Sequence, residues 1–90
     1  MAERRNYKSL ANDVTEGMIT VNPIFLKHFQ PDEFVQFYKA LERRLAELRA
    51  EPFPYGQAEP IRRRNIRIQR LHSSMMIVRN HAREKKIRIY

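Results

Sequence analysis

The chain has no cysteine among its 90 residues, which excludes disulfides, thiolate metal sites and a cysteine nucleophile. It has only two glycines, too few for a glycine-rich loop that cradles phosphate. The longest apolar run is residues 75–78, far below the roughly 20 residues of a membrane-spanning helix. The sequence therefore predicts neither covalent cross-links nor a membrane span.

The first residues, Met-Ala-Glu-Arg-Arg, lack the apolar stretch of a secretory signal. We therefore expect a cytoplasmic protein. Ninety residues allow one domain at most. A chain of this size buries only about 60–65% of its unfolded surface, so self-association or a partner often supplements its core.

Acidic residues are scarce in the second part of the chain. Residues 1–56 contain eight Lys or Arg and eight Asp or Glu, which cancel. Residues 57–90 contain ten basic and two acidic residues, which accounts for the whole net charge of +8. This asymmetry predicts a neutral scaffold followed by a surface for an anionic partner.

Two long helices are predicted from the spacing of apolar residues. In the first, residues about 31–51, these positions alternate at four and three: Phe34, Tyr38, Leu41, Leu45 and Leu48, with Phe37 beside them. In the second, residues about 60–86, the matching positions are Ile61, Ile68, Leu71, Met75, Val78 and Ala82. Because the periods match and a proline-containing turn at 52–59 separates them, an antiparallel helical hairpin is predicted.

The rest of the chain completes an all-α prediction. Residues 1–16 are predicted to be a polar N-terminal arm, and residues 17–90 a single helical domain. Asn22-Pro23 predicts the start of a short helix over about 23–29, because Asn favours the N-cap and Pro the first helical position. We expect this helix and the arm to pack across the hairpin, residues 87–90 to form a short tail, and self-association or a partner to complete a bundle.

The second long helix carries a row of polar and cationic side chains beside its apolar face, here called the arginine row. Guanidiniums at helical spacing match the oxygens of a phosphate backbone, and a small serine would not obstruct them. The predicted contacts to nucleic acid or to an acidic protein partner are Arg62, Arg63, Arg67, Arg70, Ser74, His81 and Lys85.

A structural alternative for the arginine row stays open. Its arginines would then be a solvated face whose stems cover apolar surface or pair with glutamates of the facing helix. The row also lacks the stacking aromatics of single-strand binders, which argues against specific single-strand recognition but not against backbone binding.

A second apolar patch on the same helix consists of Ile66, Met76 and Ile77. Either the N-terminal segment covers it or another subunit does. A two-helix hairpin alone does not need this patch, so it is the predicted oligomer or partner interface.

Catalytic chemistry finds little support in the sequence. The three histidines are far apart and have no carboxylate at ligand spacing. We predict no catalytic residues, no metal, no cofactor and no enzymatic activity. The expected function is an accessory or structural subunit that binds nucleic-acid backbone, for example within a ribonucleoprotein. The alternative is a protein–protein adaptor whose basic face meets an acidic protein surface.

Overall fold

The computed structural model describes residues 6–89, of which 71% are helical and none lies in a strand. Its helices are α1 (Tyr7–Thr15), α2 (Pro23–Leu26), α3 (Pro31–Ala50) and α4 (Ala58–Glu84). Helices α1, α2 and α3 each contact α4, and α1 also contacts α3. Within this part of the chain, no helix combines the length and apolar composition that crossing a membrane requires.

The two long helices form where the apolar spacing predicts them, with ends within two residues of the predicted ones. All six apolar positions predicted for α3 are buried. In α4, Leu71, Val78 and Ala82 are buried, whereas the other three predicted positions are half-buried. Helix α3 begins at Pro31, and the Glu33 carboxylate accepts a 2.8 Å hydrogen bond from the Gln30 backbone N–H. These contacts place the core chiefly along the face that α3 turns to the other helices.

Residues 7–15 form helix α1, where the sequence predicted a polar arm. The Asn6 side chain caps the helix by accepting from the Ser9 N–H at 3.0 Å. Ala11, Val14 and Thr15 are buried, and the Thr15 hydroxyl donates to the Ala11 carbonyl at 2.7 Å. The structure differs from the prediction because small and β-branched side chains give α1 one narrow buried face. The first five residues of the predicted arm lie outside the described residues.

Helix α1 ends at Thr15, and Gly17, just beyond the C-cap residue Glu16, adopts φ +76°. The Met18 N–H donates to the Asp13 carbonyl at 2.8 Å, and the Gly17 N–H donates to the Val14 carbonyl at 3.1 Å. This pair of bonds is the Schellman motif, which needs a left-handed residue where glycine stands. The chain then reverses, and Val21 is buried in the core.

The short helix α2 begins as predicted. The Asn22 side chain accepts from the Phe25 N–H at 2.8 Å, and Pro23 opens the helix. It ends at Leu26 and does not continue to residue 29. Four phenylalanine rings then cluster between α2 and α3, with centroids of neighbouring rings 5.6–6.1 Å apart: Phe25, Phe29, Phe34 and Phe37.

Helix α4 ends in a second Schellman motif, this time with Lys86 at φ +59° in the left-handed position. The Ile87 N–H donates to the Ala82 carbonyl at 2.8 Å, and the Lys86 N–H donates to the Arg83 carbonyl at 3.0 Å. The turn directs the tail back, so that Ile87 and Ile89 pack against the core.

Candidate nucleic-acid interface

The middle of the arginine row meets helix α1. An Arg67 Nη lies 3.3 Å from the Glu16 carboxylate, and Arg70 donates to the Thr15 backbone carbonyl at 3.0 Å. Ser74, one turn further along, is only 6% exposed. Arg67 and Arg70 therefore contact the C-terminal end of α1, while Arg70 itself remains exposed and Ser74 is buried.

At the C-terminal end of the row, one side chain is half-buried and the other faces solvent. His81 is half-buried, and its ring centroid lies 5.8 Å from that of Phe34. Its Nδ1 lies 3.6 Å from the Glu84 carboxylate, while its buried Nε2 has no hydrogen-bond partner among residues 6–89. Lys85 is exposed at the C-cap of α4.

The N-terminal end of the row faces water. Arg62 lies 3.4 Å from the Glu59 carboxylate, and both side chains are largely exposed, so solvent screens their attraction. Arg63 is exposed and forms no ion pair with any residue that the structure describes. Both arginines are accessible to a partner.

A cluster of cations that the sequence analysis missed lies at the other end of α4. An open groove of about 330 Å³ is lined by four cations and two isoleucines: Arg79, Arg83, Lys86, Ile87, Arg88 and Ile89. No carboxylate of the described residues contributes to this lining. We call it the basic groove, and its four cations attract anions.

The signal for this groove was only partly present in the sequence. Arg79, Arg83 and Lys86 follow each other at spacings of four and three, which places them on one helical face. Arg88 joins them because the left-handed turn at Lys86 redirects the tail. No residue pattern predicts that turn, since lysine rarely adopts this conformation.

The predicted apolar interface is divided by the fold. Ile66 is 41% exposed and Met76 is 61% exposed, whereas Ile77 is half-buried and packs against the core. Ile66 and Ile77 border a cavity of about 430 Å³ together with Ile19 and Val21 of the N-terminal segment. That segment lies beside part of the patch and leaves Met76 to solvent.

Among the residues described, no group of three or more His, Cys, Asp or Glu is arranged to hold a metal ion. Comparisons with protein-family models, with curated proteins and with solved structures returned no match.

Proposed function

We propose that the protein is a non-catalytic accessory subunit that binds the phosphate backbone of nucleic acid, for example within a ribonucleoprotein. The observation that carries this proposal is the basic groove, which gathers four cations and, among the described residues, no carboxylate. The guanidinium fork matches phosphate oxygens in two-bond geometry. Each phosphate that is neutralised releases counterions, so binding of this kind weakens steeply with salt.

The proposed footprint differs from the arginine row as a whole. Its contacts at the C-terminal end of α4 are the basic groove and Lys85. Its contacts at the N-terminal end are Arg62 and Arg63. A rise of 1.5 Å per residue separates Arg63 from Arg79 by about 24 Å. Arg67 and Arg70 are assigned to holding α1, because each already has a partner there.

The same proposal includes an antiparallel pairing of α3 and α4. Three contacts support it, because residues later in α3 and its connection lie beside residues earlier in α4. Phe34 lies beside His81, Arg49 lies 2.9 Å from the His72 Nε2, and Phe53 lies under Arg64. A second copy or a partner would complete the bundle by covering exposed Ile66 and Met76.

The rival function is an adaptor that meets an acidic protein surface. It is favoured by exposed Met76 and by the two isoleucines between the cations of the basic groove. A native pull-down with and without nuclease, identified by mass spectrometry, separates the two functions. Nucleic-acid binding predicts partners that disappear after nuclease treatment, whereas an adaptor predicts one defined protein that remains.

The direct test removes charge from the basic groove. The groove variant combines Arg79→Gln, Arg83→Gln and Arg88→Gln. A control variant removes the same charge from exposed residues elsewhere: Lys27→Gln, Lys39→Gln and Arg43→Gln. Affinity for a labelled oligonucleotide is measured by fluorescence anisotropy over a salt series.

We expect the groove variant to bind more weakly and its plot of log affinity against log salt to flatten by about two to three units. The control variant should keep nearly the wild-type slope. Equal losses in both variants would mean that only net charge matters, and would refute the groove as the contact surface.

A further inference from the structure

The connection between α3 and α4 presents two aromatic rings beside an arginine. The ring centroids of Phe53 and Tyr55 are 4.7 Å apart at 58°, and the Arg64 guanidinium carbon lies 5.2 Å from the Phe53 centroid. Tyr55 is 81% exposed and Phe53 is 38% exposed. We call these three side chains the aromatic platform.

The backbone of the connection that carries these rings is held by two hydrogen bonds. The Tyr55 N–H donates to the Phe53 carbonyl at 2.9 Å, and the Gln57 N–H donates to the Pro54 carbonyl at 3.2 Å. Gly56 supplies the left-handed residue of this turn, at φ +74°. A backbone ordered in this way loses little conformational entropy when a ligand binds to the rings it carries.

Tyr55 does not contribute to the hydrophobic core. The core of the described chain is built from residues of α1 to α4 and of the segments between α1 and α3, and Tyr55 is absent from it. Phe53 has Arg64 across its ring, whereas most of the Tyr55 surface faces water. An exposed ring next to a guanidinium is the combination with which proteins stack unpaired bases.

We infer that the aromatic platform stacks an unpaired nucleobase, so that the preferred ligand is single-stranded nucleic acid. This inference rests on the proposed backbone binding and specifies its ligand. Arg62 and Arg63, directly before Arg64 in α4, are exposed and can bind the flanking phosphates. A duplex cannot use the platform, because the faces of its bases are already stacked on each other.

The platform also resolves an apparent conflict with the sequence. The arginine row contains no stacking aromatic, which by itself argued against single-strand recognition. The rings come instead from the preceding connection, and the fold brings Phe53 to Arg64, eleven positions later in the chain. The relevant cluster is therefore assembled in three dimensions.

The test compares wild type with Tyr55→Leu, which keeps apolar bulk but removes the ring, and with Tyr55→Phe, which keeps the ring. Probes are a thymidine homopolymer and a uridine homopolymer of about 16 nucleotides, the upper end of single-strand site sizes, and a duplex of equal length. Affinity is measured by anisotropy. Quenching of tyrosine fluorescence gives a second readout, since the chain has four tyrosines and no tryptophan.

We expect Tyr55→Leu to weaken single-strand binding about tenfold and to leave duplex binding unchanged. Tyr55→Phe should bind like wild type. Most of the tyrosine quenching seen with wild type should disappear in Tyr55→Leu. The DNA and RNA arms should respond alike to the substitution, because every base offers a π-face. Circular dichroism should be unchanged in both variants, because Tyr55 lies outside the core.

Three other outcomes would overturn the inference. If wild type binds both probe types through the groove but Tyr55→Leu binds like wild type, the platform is refuted while backbone binding stands. Equal losses on strand and duplex would likewise refute base stacking. If wild type binds no nucleic acid at low salt, both proposals fail, and a protein partner lost on Tyr55→Leu would assign the platform to protein recognition.

Discussion

At the scale of single residues, Gly17 is favoured both by its left-handed backbone conformation and by its close packing against Arg70. Its φ of +76° is strained for other residues, and a Cβ there would lie 2.7 Å from the Arg70 guanidinium carbon. Gly56 has nearly the same φ, +74°, but an added Cβ would meet nothing within 4 Å. The two glycines therefore separate backbone strain from loss of the α1–α4 contact.

We predict that Gly17→Ala lowers the free energy of unfolding by about 1 kcal/mol more than Gly56→Ala does. Each substitution incurs a left-handed strain of about 1–2 kcal/mol. Gly17→Ala also displaces Arg70 from the Thr15 carbonyl, a hydrogen bond worth about 1 kcal/mol. Urea denaturation measures the difference, and equal losses would contradict the assigned role of Arg70.

Ser74 tests whether this position in the middle of the arginine row is buried. Because this side chain is 6% exposed, we predict that Ser74→Arg lowers the free energy of unfolding by about 2 kcal/mol or more. Its neighbour Ser73 is exposed, so Ser73→Arg should change stability by no more than about 0.5 kcal/mol. Thermal unfolding of the two variants gives the comparison. Unchanged stability in Ser74→Arg would show that this position is open to solvent.

At the scale of elements, the end of α4 stores strain in a residue poorly suited to its conformation. Lys86 has φ +59°, where glycine is the usual residue of a Schellman motif. We predict that Lys86→Gly raises the free energy of unfolding by about 1 kcal/mol. Lys85→Gly removes the same charge from a residue at φ −89° and should give no gain. A stability loss in Lys86→Gly would contradict the turn geometry on which the basic groove depends.

The elements also show which sequence signals predict a fold and which do not. Helix α3 was predictable because large apolar residues repeat at its buried positions. Helix α1 was not, since its buried face consists of Ala11, Val14 and Thr15, which carry little hydrophobic contrast. The basic groove was missed because it depends on a left-handed lysine. The platform was missed because it joins residues from different elements.

At the scale of the whole molecule, the fold divides the cations of α4 between a contact with α1 and an open groove. Arg67 and Arg70 face α1 and bind Glu16 and the Thr15 carbonyl. Arg79 and Arg83 line the basic groove toward the C-terminal end of the helix. Helical spacing groups the row by angle alone, so it could not distinguish side chains that contact α1 from those left entirely to solvent. A partner therefore meets fewer free cations of the arginine row than the net charge of +8 suggests.

The most direct test of this division measures stability and salt dependence together in two double variants. We predict that Arg67→Gln with Arg70→Gln lowers the free energy of unfolding by about 1 kcal/mol and leaves the salt slope of nucleic-acid binding unchanged. Arg79→Gln with Arg83→Gln should leave stability unchanged and flatten that slope by about two units. The account is contradicted if both variants flatten the slope equally, or if the first alone does so.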